Sequence, residues 1–268
     1  MIMETQGPQP RTLGTVNWRG LWTLTRKEIE RFLIVAAQTI MAPVITTLLF
    51  YLVFSLAFGG SHRMIEGISY MAFLVPGLIM MSIAQNAFAN TSSSLVISKV
   101  QGNIVDVLMP PLSIMEFATG YVLGGIARGL AVGLASIIVM SFFAPMTFEH
   151  PGFILFHAFM GAMMMALLGL IGGIWAVKFD HLATITNFII MPATFLSGTF
   201  YTAAQLPELW QFLAHLNPFF YMIDGFRYGF IGLADSPLGL GMMIMIAINL
   251  GLWILCLSML KTGYKLKS

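Results

Sequence analysis

The chain has 268 residues, 58% of them hydrophobic and only 9% charged, with a mean hydropathy of +0.86. A soluble domain carries roughly 25% charged residues, so this composition excludes a soluble globular protein and specifies an all-α, polytopic membrane protein. A net charge of +2 does not suggest a nucleic-acid partner, and the single cysteine, Cys256, excludes an intramolecular disulfide or a Cys-based metal site.

Residues 1–16, polar with Gly, Pro and Thr, read as a flexible arm. They do not read as a signal peptide, because the first apolar run is too long for an h-region and follows a sizeable polar stretch. Residues 17–31 (NWRGLWTLTRKEIER) predict an amphipathic helix in the headgroup layer. Trp18, Leu21, Trp22, Thr25 and Ile29 line one face, and Arg19, Arg26, Lys27, Glu30 and Arg31 the other. A first span of about 32–58 follows, uncharged throughout, with a kink predicted at Pro43. Residues 59–69 read as a short loop. The second span, about 70–97, reads as interrupted at Pro76-Gly77. Its second half carries Ser82, Asn86, Asn90, Ser93 and Ser94 at helical steps, which places them on one face. That stripe reads either as interhelical hydrogen bonding or as the wall of a wet or amphiphile-carrying cavity.

Residues 101–116 (QGNIVDVLMPPLSIME) form a mixed polar-apolar segment between two apolar runs. Lys99, Asp106 and Glu116 cannot sit cheaply in hydrocarbon, where a charge costs roughly 2.5–3.5 kcal/mol on insertion scales. Ile104, Val107 and Leu108 share a helical face, Asn103 and Asp106 turn away, and Pro110-Pro111 stops the helix. The expectation is a short amphipathic helix over 101–111 at the membrane face. It is either a docking helix for a soluble partner or an ordinary interfacial connector.

The third span, about 117–143, carries Gly125-x3-Gly129-x3-Gly133, a smooth ridge that admits another helix closely. Arg128 lies inside it, roughly 16 Å along a helix begun at Phe117. It must be buried in protein or reach a polar partner, for which the second-span stripe is the candidate. A fourth span of about 153–177 has the step Gly169-x3-Gly173. Residues 178–181 read as a tight polar turn with His181 at the surface, and a fifth span covers about 182–199. Residues 201–236 are too polar to span and too apolar for a free loop. They predict two short helices meeting at Asn217-Pro218, a hairpin that can dip into the membrane only where protein buries its backbone. Asp224 and Arg227, at i and i+3, are spaced to pair. The sixth span covers about 238–260, followed by a tail, 261–268.

Ten Arg/Lys residues fall on one side: Arg11, Arg19, Arg26, Lys27, Arg31, Lys99, Lys178, Lys261, Lys265 and Lys267. The opposite side holds Arg63 and Arg227. The positive-inside rule therefore puts both termini, the 101–116 segment and the 178–181 turn in the cytosol, and the 201–236 hairpin outside. The chain has no G-x4-G-K-[ST] phosphate loop, no paired carboxylates within a span and no clear inverted repeat.

Three stretches carry a family likeness: Asp106–Gly129 (DVLMPPLSIMEFATGYVLGGIARG), Met191–Phe200 (MPATFLSGTF), and Leu206–Phe230 with its Leu-Pro, Asn-Pro-Phe-Phe-Tyr and Asp-Gly-Phe-Arg-Tyr elements. With the order of segments, these make the chain from Asn17 onward resemble the permease subunit of type-2 ABC transporters, most like the separate permease chains of bacterial nodulation-factor, drug and polysaccharide exporters. The resemblance implies six spans, an N-terminal connecting helix (Trp18, Trp22, Arg26, Glu30), a cytosolic coupling helix (Gly102, Asn103, Asp106, Val107, Met109, Pro110, Pro111) and an outer hairpin. Asn103 and Asp106 would face the ATPase, and Leu108, Met109 and Leu112 would anchor the element. It further implies a second copy of the permease, two ATPase chains that hold ATP and Mg, membrane lipids around the complex, and a bacterial inner-membrane location. The polar stripe Ser82, Asn86, Asn90 and Ser93 would line the translocation path, while Arg128, Asp224 and Arg227 would be structural charges. Short outer loops imply no large external domain. A proton-coupled secondary transporter and a non-transporting scaffold are the rival classes.

Overall fold

The computed structural model describes residues 14–58 and 64–265; the arm 1–13, Gly60, Arg63 and Lys267 lie outside the described residues. Helix α1 spans Trp18–Ile34, α2 Ala42–Phe58, α3 Tyr70–Val100, α4 Ile104–Leu108 and α5 Ile114–Met140. Then come α6 (Pro151–Trp175), α7 (Phe179–Ile185), α8 (Met191–Phe195), α9 (Glu208–Leu216), α10 (Pro218–Ile231) and α11 (Leu238–Thr262). Five helical runs among the described residues are long and apolar enough to cross a membrane: 37–57, 70–100, 114–140, 151–175 and 238–262.

Helix α3 is the axis of the bundle. Glycines on two neighbours let their backbones reach it. A Cβ on Gly129 of α5 would sit 2.9 Å from the Ile83 carbonyl oxygen, and one on Gly173 of α6 would sit 3.0 Å from Leu95 Cβ. The Thr91 hydroxyl crosses from α3 to donate to the Ala166 carbonyl at 2.8 Å, a hydrogen bond only such close approach allows. Gly120 and Gly124 receive Leu24 and Glu28 of α1 in the same way, and Gly225 of α10 receives the His157 ring of α6. Helix α11 packs on α6, where Asn249 Nδ2 donates to Met160 O at 3.1 Å.

Several expectations are corrected. Pro76 lies inside a continuous α3, which packing holds on both sides, so the second span is not interrupted. The first apolar run is divided. α1 continues to Ile34, the chain turns at Val35, and a π-helical stretch, Ala37–Met41, precedes Pro43. The Thr39 hydroxyl donates to the Phe32 carbonyl at 2.6 Å and so satisfies a helix end left open by that turn. The fifth expected span is a helical run over 179–195 in three pieces, α7, a π stretch Thr186–Ile190 and α8, 17 residues in all. At 1.5 Å per residue it is about 26 Å long, short of the ~30 Å hydrocarbon thickness. Both π stretches end two residues before a proline, where the ring would clash with the carbonyl four residues back and the turn widens to avoid it. Residues 178–181 are therefore a helix start rather than a free turn, with the His181 ring accepting from Val177 N–H at 3.3 Å. The loop after α2 contains a small antiparallel pair, β1 (Met64–Ile65) and β2 (Ile68–Ser69), turned by Glu66 and Gly67, both at positive φ.

Gly129→Val should lower the thermal-unfolding midpoint of the detergent-solubilised protein, with a loss of about 1–3 kcal/mol from overpacking against α3. Gly251→Ala, where a Cβ meets nothing within 4 Å, should leave that midpoint unchanged or slightly higher.

Candidate functional site

The segment between α3 and α5 is short and open. Gly102 takes a φ of +74°, which turns the chain out of α3. α4 follows for five residues, and only Ile104 is buried. Gln101, Gly102, Asn103, Asp106, Pro110 and Pro111 are exposed, Val107 is half-buried, and Leu108 is exposed rather than packed. Met109 is 74% exposed and anchors nothing, a correction to its expected role; Leu112 packs instead, against the notch of Gly20 in α1. Val105, unremarked in the sequence, is exposed beside Met109.

What fixes this segment is Glu116. It forms a capping box with Ser113 at the start of α5, accepting Ser113 N–H at 2.7 Å, and its other oxygen accepts Asn17 N–H at 2.6 Å. Asn17 caps α1 through Gly20 N–H at 3.0 Å and donates to Pro111 O at 3.1 Å. One buried carboxylate thus ties the α4–α5 corner to the start of α1. On the other flank, Lys99 Nζ donates to the carbonyls of Gly173, Ile174 and Ala176 at 2.5–3.0 Å, closing the C-terminal end of α6.

Helix α1 presents Trp18 and Trp22 outward, 71% and 63% exposed, and Arg26 pairs with Glu30 at 2.6 Å on the same open surface. Its packed face is Leu24, Thr25, Glu28 and Phe32, not the tryptophan face, because the glycine notches of α5 select it. Glu28 is fully buried and had no signal in the sequence beyond its spacing from Leu24 and Phe32. It accepts from Arg31 Nε at 3.3 Å and from the Ser94 hydroxyl at 2.8 Å, and Lys27 Nζ lies 3.7 Å away. Arg31 then reaches α3, donating to Asn90 O at 2.6 Å, Asn90 Oδ1 at 2.9 Å and Ser93 Oγ at 3.3 Å. Arg128 Nη2 donates to Asn86 Oδ1 at 3.1 Å. Because α5 begins at Ile114, Arg128 lies about 21 Å along its helix, deeper than the sequence placed it.

A cleft of about 540 Å³ opens between the 37–57 run, α3 and the 179–195 run. Nine of its twenty lining residues are polar and none is charged, which suits an amphiphile better than a bare ion or a pure hydrocarbon. Ser82, Asn86 and Ser93 line it; Asn90, fully buried, turns away to Arg31.

In the outer hairpin, Asp224 and Arg227 do not pair, contrary to their spacing. Asp224 accepts from Asp235 N–H at 2.7 Å and from the Ser236 N–H and hydroxyl at 3.0 and 2.6 Å, holding the chain before α11. Burial pushes its carboxyl above the usual range, against the pull of those hydrogen bonds. Arg227, 1% exposed, donates to Gly198 O and lies 3.7 Å from the Phe73 ring centroid. Burial lowers its guanidinium to about 10, still charged at neutral pH.

The family model described as ABC-2 type transporter matches residues 19–231. The chain is 39% identical over 251 residues to Inner membrane transport permease YadH of Escherichia coli (strain K12), covering 94% of this chain and 98% of that protein. It is 24% identical over 214 residues to Nodulation protein J of Sinorhizobium fredii (strain NBRC 101917 / NGR234), covering 79% and 80%. To Nodulation protein J of Neorhizobium galegae it is 21% identical over 231 residues, covering 85% and 87%. The chain belongs to the ABC-2 type transporter family and is a multi-pass transport permease, a membership that implies an ATPase partner.

Glu116→Ala should cost about 3 kcal/mol, the scale of two hydrogen bonds to a charged acceptor, and should free α1, seen as faster tryptic cutting at Arg19 and Arg26. Glu116→Gln, which keeps one acceptor oxygen, should fall between it and the parent.

Proposed function

We propose that this chain is the membrane subunit of an ATP-driven exporter that moves an amphiphile, a lipid, glycan lipid or hydrophobic drug, out across a bacterial inner membrane. The working unit is two copies of this chain and two ATPase chains, which hold the ATP and Mg. Both termini and α4 lie in the cytosol and the α9–α10 hairpin lies outside. The 179–195 run completes a six-span topology by local thinning of the bilayer.

The observation that carries this reading is the α4 corner: it is exposed, yet tied through Glu116 to the starts of α1 and α5. A push on α4 has no slack to take up. It moves α1 and α5 together, and α1 carries Glu28 and Arg31 against the polar face of α3. ATP binding closes the ATPase pair, displaces α4, and rocks the two permeases so that the cleft empties outward. Asp106 and Asn103 offer polar contacts to the ATPase, and Val105 and Met109 offer apolar ones.

Asp106→Arg should reduce ATPase co-purification and stimulated ATP hydrolysis about tenfold, with folding unchanged; unaltered association sinks the docking assignment. In a Cys256→Ser background, a cysteine at Met109 should react with a membrane-impermeant maleimide only in inside-out vesicles, and one at Trp210 only in right-side-out cells. Export that follows a pH gradient and survives ATP depletion would favour the proton-coupled class instead.

A further inference from the structure

We infer that the cleft takes an amphiphile whose head group is anionic, a phosphate or sulfate monoester or a free carboxylate on an apolar tail; this rests on the export reading above and narrows its substrate class. The wall of the cleft is neutral, but the layer behind it is not. Arg128 and Arg31 each stand one hydrogen bond behind lining residues, Arg128 through Asn86 and Arg31 through Ser93. Arg31 has a counter-charge in Glu28. Arg128 has no carboxylate within ion-pair distance among the described residues, and its Nε is buried without a hydrogen-bond partner. Counting Lys27, three cations share one carboxylate at this junction.

An uncompensated guanidinium at membrane depth is costly, and its field falls on whatever fills the adjacent low-dielectric space. That space repels a cationic head group and attracts an anionic one. Donors are at hand. Gln38 and Gln85 line the cleft with side-chain amides that make no hydrogen bond among the described residues. An anion beside Asn86 would also compete for Arg128 Nη2. The tail has its own surface in Leu78, Met81, Phe88 and Ile190. Head-group charge is thus selected by sign, at long range across the uncharged wall and at short range where the anion displaces Asn86 from Arg128.

The test uses the full-length permease in nanodiscs of neutral phosphatidylcholine, titrated with monododecyl phosphate, dodecyltrimethylammonium, a neutral dodecyl glycoside or inorganic phosphate, and read as the midpoint of the rise in unfolding temperature. Monododecyl phosphate should bind at least tenfold more tightly than the other three. Arg128→Gln should weaken it about tenfold and Arg128→Lys should restore most of the loss. Gln85→Glu, which adds a negative charge to the wall without touching Arg128, should weaken it to a similar extent and covers the case in which the Arg128 variants fail to fold. Equal binding of the ammonium and phosphate amphiphiles, or a midpoint indifferent to Arg128→Gln and Gln85→Glu, overturns the inference. Inorganic phosphate binding as tightly as its dodecyl ester overturns the amphiphile and leaves a free-anion site. No ATPase enters this measurement, so its failure is separable from failure of the export reading, which ATPase association decides.

Discussion

Backbone-to-backbone approach along α3 is the constraint on which the rest of the molecule depends. Lipid offers helices no hydrophobic reason to associate, so close packing has to supply it. Glycines of α5 and α6 supply that packing on two sides of α3. On those sides the polar groups of α3 are few and bonded across the contact, as Thr91 is to Ala166. Others face α1, as Asn90 and Ser94 do, or the cleft, as Ser82 and Asn86 do. Where glycine is placed on the neighbours decides which faces of α3 pack tightly.

The charged junction of α1, α3 and α5 exploits this arrangement. Burying Glu28 alone would be prohibitive, and its burial is tolerated because Arg31, Ser94 and Lys27 surround it. The same Arg31 and Glu28 bond α1 to α3. α1 is thereby locked to the long apolar α3 by charge rather than by apolar contact, and Glu116 locks its other end to the corner at α4. The two carboxylates bracket α1 along its length, which makes it a stiff strut instead of a floating amphipath.

Much of the architecture was legible in the sequence because hydrocarbon imposes a one-dimensional rule: long uncharged runs must cross, and prolines and charges mark where they stop. The glycine ridges and the amphipathic α1 could be read from spacing alone. The failures are positions where the neighbour decides. The face of α1 that packs on protein had no signal of its own: Gly120 and Gly124 accept Leu24 and Glu28, while Trp18 and Trp22 stay exposed. Asp224 and Arg227 had helical spacing for a pair, but the turn at Asp235-Ser236 and the carbonyl of Gly198 claimed one each. The resemblance made Met109 an anchor, but Pro110 follows it and Met109 stays 74% exposed. The 179–195 run is short because the turn around Gly198, at positive φ, ends it early, something apolarity alone does not register.

The two π-helical stretches lie across from α3, and both end at the cleft, where Ala42, Pro43, Ile190 and Met191 are part of its wall. At each, proline removes one rung of the backbone ladder and the widened turn strains the next. The enclosure therefore has unequal compliance: one unbroken, buried post, and two facing panels that are weakest where they line the cleft. Change in its width falls to those panels, and the cleft can widen or narrow without disturbing α3 or the Asn86 and Ser93 contacts that α3 makes with the arginines behind it.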